Sequence, residues 1–273
     1  MLVRVRPGWA GERALSCSPM NRISFLGGNG HCAARLDEAR RHFSGVELAG
    51  AELIDTPYPG FEGRPRAESF EAFLDSVAAH LREAAPGLVY GTGIGGLLAL
   101  CLRARGELSG IPLVFQGTVL WGLERRWMPR MMRLGLAQIA LRRAFAAPAF
   151  QRRFARKHFT RPPSPGLLAA FFDGYARCTA APDFFAWMTP ALLRRLEAEI
   201  AARPEALADV RVWWGGLDRV VSPRELKWTE AALGPGARWP LRMFPAWGHY
   251  PMIDDPAEWA RELSDAVAAA RPV

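Results

Sequence analysis

The sequence predicts an α/β protein, a mostly parallel sheet flanked by helices with a helical segment inserted between its two halves. Three observations carry this expectation. Short apolar runs bounded by glycine or proline recur at 22–26, 52–55, 88–90 and 111–116, and helical patterns separate them. From 121 to about 204 the strand pattern stops and the spacing is helical throughout. Strand patterns resume at 210–214 and 239–244, each followed by a further helix. Strands joined through helices run parallel, because each crossover returns the chain to the same end of the sheet, and both faces are then covered. The expected division is a core of 20–120 and 205–273, a helical insertion of 121–204 and an N-terminal extension of 1–19.

In chain order, residues 1–20 show little beyond an apolar run at 2–5, and Met20 directly precedes the first strong strand, so it competes with Met1 as the start. Gly27-Gly28-Asn29-Gly30 follows the strand at 22–26, and a helix is expected over 32–43. The strand at 52–55 leads into a proline- and glycine-rich loop, DTPYPGFEG, at 55–63. Over 69–84, Phe70, Phe73, Leu74, Val77 and Leu81 recur on one face of a helix. The strand at 88–90 then runs into Gly91-Thr92-Gly93-Ile94-Gly95-Gly96, a turn almost without side chains, before a helix from 97. A turn this sharp needs positive φ or close backbone approach, which glycine permits.

Two functional patterns share that strand–turn–helix shape. Gly91, Gly93 and Gly96 satisfy the dinucleotide fingerprint G-x-G-x-x-G. Gly91 and Gly95 satisfy the outer positions of the nucleophile elbow G-x-S-x-G, with Gly93 where its serine belongs. The fingerprint wants an acidic residue at the end of the next strand to hold a ribose. That strand ends at Phe115-Gln116. Gly28, Gly30 and Ala33 make a second imperfect match, supported only by Asp55. A nucleotide-cofactor oxidoreductase is thus the weakest of the readings, and no cofactor is expected.

The net charge is +8, and 33 of the 35 basic residues are arginine. Residues 121–163 alone hold ten arginines and Lys157 against Glu124. Trp127, Met131, Met132, Leu134, Leu136, Ile139, Leu141 and Phe145 are interleaved with them at roughly helical spacing. A cationic amphipathic surface of this kind suits an anionic ligand, an acyl carrier or an anionic membrane surface, whereas a plain solvated face would need none of them. No nucleic-acid-binding motif accompanies the charge. No apolar run is long enough to span a bilayer, and the N-terminal residues contain no continuous apolar stretch of the secretory kind. Cys17, Cys32, Cys101 and Cys178 are scattered without C-x-x-C spacing, so neither zinc nor a disulfide framework is expected, and the expected location is cytoplasmic.

The second half of the chain carries a resemblance. WGGLDRVVSP at 214–223 resembles the acid loop of the α/β-hydrolase family, and GHYPMIDDPAEW at 248–259 resembles its catalytic histidine loop. GGNG at 27–30 stands where the family has its His-Gly oxyanion loop, with Gly27 in place of histidine. DTPYPGFEGRP is similar to the family's D-x-P-G-x-G-x-S loop, lengthened and without the final serine. The resemblance spans about 20–270, in the family's order of elbow, helical lid, acid and histidine. It implies the α/β-hydrolase fold, Asp218 and His249 as acid and base, and an oxyanion hole from the N–H groups of Gly28 or Asn29 and Ile94. Gly93 occupies the nucleophile position without a side chain, and Thr92, one residue early, is expected to point away.

Three functional readings stand. In the first, a His249–Asp218 dyad activates water or a substrate directly, acting on a small apolar or anionic acyl molecule without a serine nucleophile. In the second, the chain is a catalytically inactive member that binds such a molecule under the basic lid. In the third, Gly93 replaces the nucleophile of an ordinary esterase or thioesterase.

Overall fold

Among the described residues six parallel strands build the sheet, in the order β2-β1-β3-β4-β5-β6. They are β1 (Arg22–Leu26), β2 (Glu52–Asp55), β3 (Leu88–Gly93), β4 (Leu113–Thr118), β5 (Val210–Gly215) and β6 (Leu241–Phe244). The computed structural model describes residues 21–28, 33–43, 51–178 and 180–270. The 1–19 extension, the run at 2–5, Met20, Asn29, Gly30 and Cys32 lie outside them.

Both faces of the sheet are apolar, as a parallel sheet between helices requires. All six residues of β3 and all six of β4 are buried. On one face, α2 (Phe70–Ala84) and α3 (Gly95–Ala104) pack with α9 (Pro190–Ala201) and α10 (Arg224–Leu233). α2 starts at Ser69, whose hydroxyl accepts the Ala72 N–H, and it buries the predicted stripe of Phe70, Phe73, Leu74, Val77 and Leu81. On the other face, α1 (Asp37–Phe43), led in by a 3-10 turn at Ala33–Leu36, packs with α12 (Pro256–Ala268). There Phe25 stacks on Tyr90 at 5.5 Å, and the Trp259 indole meets the Tyr90 ring edge-on at 5.2 Å.

Four strands differ from the sequence reading: β5 ends one residue later, at Gly215, β6 starts two residues later, at Leu241, and β3 and β4 are displaced for reasons of pairing. β3 runs through Gly91 and Thr92 because they pair with Phe115 and Gln116 of β4. β4 starts two residues later than the apolar run and continues through Gly117 to Thr118. Pro112 has no N–H to give the ladder, but its carbonyl accepts the Val89 N–H at 3.0 Å. The tight join of β3 to α3 depends on Gly95: a Cβ there would lie 2.0 Å from the Leu26 carbonyl oxygen.

Between β4 and β5 the chain is helical, as the spacing predicts. A 3-10 turn (Trp121–Arg125) leads to α4 (Trp127–Met131), α5 (Gly135–Ala146), α6 (Pro148–His158), α7 (Pro165–Arg177) and α8 (Ala180–Trp187), then α9. Its start is held by Glu225 of α10, a buried carboxylate that accepts the Gly122 N–H at 3.0 Å and pairs with Arg126 at 3.0 Å. Its middle is held by α11 (Pro251–Asp254), where Asp254 accepts the Thr160 N–H at 3.1 Å. Among the described residues no helix is long and apolar enough to cross a membrane.

Candidate active site

Parallel strands bring their carboxyl ends to one edge, and loops leaving that edge are where an open α/β sheet gathers a site. Here β1 ends against Gly28, β3 ends at Gly93, β5 leads to Asp218 and β6 to His249. Gly93 adopts φ +56° and turns the chain directly into α3, so Ile94 lies at that helix's N-terminus. The first N–H groups of a helix have no intrahelical partner and suit an anion. Gly28 lies against the same turn: a Cβ on it would be 3.6 Å from the Gly93 Cα. Asn29 falls outside the described residues. Thr92 is buried and donates its hydroxyl to Gln116 Oε1 at 3.1 Å, inside the sheet.

Asp218 and His249 come together across two loops. His249 Nδ1 lies 2.9 Å from Asp218 Oδ2. The other carboxylate oxygen accepts the N–H groups of Val220 at 2.7 Å and Val221 at 3.0 Å. Burial pushes the Asp218 carboxyl up, but the facing His249, its hydrogen bond and those two amides together hold it below its ordinary value. An ionised acceptor at Nδ1 requires the proton on that nitrogen, which leaves Nε2 as the basic one.

The pair rests on a residue that the sequence reading missed. Gly117, on β4 beside the end of β3, has φ +51°, and a Cβ there would stand 3.0 Å from Asp218 Oδ2 and 3.3 Å from His249 Nδ1. A side chain here would force the imidazole and carboxylate back from the strand by a few tenths of an ångström. Tyr58 was missed too: its hydroxyl donates to the Gly27 carbonyl at 3.0 Å, while Glu62 accepts the Ala33 N–H at 2.9 Å. The proline- and glycine-rich loop thereby brackets the segment that follows β1. Neither role leaves a local sequence signal.

The helical segment closes over the pair. His158, the last residue of α6, stands with its ring 6.0 Å from that of His249. Its Nδ1 lies 2.9 Å from the Phe154 carbonyl and so donates. Burial, reinforced by the neighbouring His249, pushes the His158 imidazole down to about 3, so it is neutral. Arg35 is buried with its guanidinium 4.4 Å from the Phe171 ring centre and 4.9 Å from that of Tyr250. A cavity of about 370 Å³ opens beside the acid loop, lined among others by Arg156, Lys157, His158, Arg161, Leu217 and Arg219. Among the described residues no group of three or more histidines, cysteines or carboxylates could hold a metal ion.

Comparison with known proteins agrees with this architecture. A crystal structure described as an aryl esterase from Burkholderia cenocepacia is 18% identical, covers 92% of this chain and 90% of its own, and has a TM-score of 0.66. The haloalkane dehalogenase DbeA from Bradyrhizobium elkani is 18% identical, with 91% and 90% covered and a TM-score of 0.68. A membrane phospholipase A described as a bacterial virulence factor is 20% identical, with 92% and 80% covered and a TM-score of 0.62. At these identities the likeness establishes the fold alone. No curated protein matches the sequence. Residues 24–262, most of the chain, match the alpha/beta hydrolase family, and the chain belongs to that family.

Proposed function

We propose that the chain is a hydrolase-like enzyme that attacks a small acyl substrate with water rather than with a side chain. The observation that carries this reading is the 2.9 Å contact between His249 and a fully buried Asp218 carboxylate, itself held by two amides. A buried charge is expensive to keep, and a protein that only bound a ligand would have no use for it. Gly93 is read as the nucleophile position. It keeps the left-handed turn of an elbow, and in this reading a water molecule stands where the nucleophile's side chain would be.

In this mechanism His249 Nε2 takes a proton from that water as its oxygen bonds to the acyl carbon. The carbonyl electrons move onto oxygen, where the N–H groups of Ile94 and Gly28 receive the charge. The intermediate collapses, the bond to the leaving group breaks, and the imidazolium returns the proton to the departing oxygen or sulfur. Asp218 orients the imidazole and stabilises its cation without being protonated. Loss of a triad nucleophile in a protease leaves about 10³–10⁴-fold rate enhancement over water. Slow turnover is therefore the expected regime.

The helical segment is read as a lid, and the cavity beside it suggests the substrate. Arg156, Lys157, Arg161 and Arg219 line it without a carboxylate at ion-pair distance among the described residues, while Leu217 and Leu168 supply apolar surface. An acyl chain ending in a carboxylate or phosphate would satisfy both. One feature favours a second reading, ligand binding without chemistry: His249 is only 6% exposed beneath that lid.

The test uses p-nitrophenyl butyrate. Parent protein should turn over slowly with no burst, and His249→Gln should lower the rate by about 10²-fold or more. Gly93→Ser should raise the rate and introduce a burst with a covalent acyl adduct visible by mass. Turnover indifferent to His249→Gln would overturn the mechanism. No turnover in parent or Gly93→Ser, together with tight fatty-acid binding, would establish the second reading.

A further inference from the structure

We infer that the outer face of the helical segment, built from α4 and the start of α5, docks on an anionic lipid bilayer. Among the described residues, the large apolar side chains left exposed concentrate here: Trp127 (65%), Met131, Leu134, Leu136 (83%) and Ile139. A surface helix of a soluble domain ordinarily shows water its polar face. α5 does the reverse. Leu136, Ile139, Ala140 and Arg143, spaced i, i+3, i+4 and i+7, form its exposed stripe, whereas Phe145 is buried.

The charge around this patch selects the occupant. Elsewhere in the fold many surface arginines are paired with carboxylates, among them Arg82 with Glu107, Arg105 with Asp75, Arg195 with Glu71, Arg238 with Glu230 and Arg242 with Glu262. Others, such as Arg194, Arg203 and Arg224, are unpaired among the described residues but stand apart from any exposed apolar cluster in the sequence. Arg130, Arg133, Arg142 and Arg143, which surround the exposed apolar residues, have no carboxylate at ion-pair distance among the described residues. Apolar side chains ringed by uncompensated arginines match a membrane interface, where Trp and Leu enter the acyl boundary and Arg meets headgroup phosphates. The chain continues from α5 into α6, whose last turn lines the cavity beside the acid loop.

Sedimentation of the full chain with vesicles tests the inference and reads no turnover, so it stands apart from the proposed chemistry. The protein should pellet with phosphatidylcholine vesicles containing phosphatidylglycerol and not with phosphatidylcholine alone. Binding should weaken from low to physiological salt, since exposed charges are screened over about 8 Å. Each arginine near the surface is worth about fivefold in partitioning, so Arg130→Gln with Arg143→Gln should lower it about 25-fold. Trp127→Ser with Leu136→Ser should remove binding at both salts. Leu241→Ser with Met243→Ser, exposed apolar residues at the far sheet edge, should leave it unchanged. All altered residues are exposed, and thermal unfolding confirms that each variant is folded. Equal binding to neutral and anionic vesicles, binding indifferent to the α4 and α5 variants, equal loss in the sheet-edge pair, or no vesicle binding at all would each overturn the inference.

Discussion

Replacing Gly117 by alanine should damage the acid–base pair without touching either of its members. Two costs add at this position. The first is conformational: φ is +51°, and a residue with a Cβ pays about 1–2 kcal/mol in the left-handed region. The second is collision, since the new Cβ would lie 3.0 Å from Asp218 Oδ2 and 3.3 Å from His249 Nδ1. Both atoms must retreat by a few tenths of an ångström, and both belong to one 2.9 Å hydrogen bond. A hydrogen bond to a charged group is worth about 1.5–3 kcal/mol, so losing it brings the expected destabilisation to about 3–5 kcal/mol. The fold supplies a control that separates the two costs. Gly106 has φ +85° with nothing within 4 Å of its would-be Cβ, so Gly106→Ala pays the first cost alone. Urea denaturation of both variants measures the difference, and the downfield Nδ1–H resonance of His249 reports the hydrogen bond directly. If Gly117→Ala loses no more stability than Gly106→Ala and keeps the resonance, the strand does not support the pair in the way the distances imply.

Two further outcomes follow from groups around the site. His158 is pushed from 6.5 to about 3 in the folded state, chiefly by burial, so the unfolded chain binds its proton first and stability is lost as pH falls below about 6.5, continuing to about 3. At pH 5 this amounts to about 2 kcal/mol, and His158→Gln should flatten the dependence of the urea midpoint between pH 6.5 and 5; an unchanged slope would place its titration elsewhere. Glu225→Ala strands the Gly122 N–H at the start of the helical segment and leaves the part-exposed Arg126 to water, and a buried donor without a partner costs about 1–3 kcal/mol by denaturation. A loss below about 1 kcal/mol would mean that the segment is anchored mainly by its apolar contacts.

What the sequence could reveal was whatever depends on neighbours in the chain. The strand runs and the stripe of α2 are local patterns, and each forms within a few residues of where the spacing predicts, while the loops around Asp218 and His249 are local motifs that carried the family resemblance. The strand ends were misplaced because they depend on partners: Gly91 and Thr92 read as turn until Phe115 and Gln116 are set beside them. Gly117 fails in the same way. Nothing in its own neighbourhood says that residues 101 and 132 positions further on will settle against it. The basic stretch shows the limit most clearly, since ten arginines of one composition have different fates. Arg125 lies over the Trp228 ring at 5.2 Å, and Arg126 is spent on Glu225. Arg156 and Arg161 line the cavity, whereas Arg130 and Arg143 ring an apolar face turned to the outside. Charge counting treats these as one patch with one partner. The pairing of each guanidinium separates them into an anchor, a candidate substrate subsite and a candidate membrane face, and the last two differ in the ligand that would compete for them. A soluble fatty acid should protect the cavity without displacing the protein from vesicles, a separation that a single electrostatic patch could not produce.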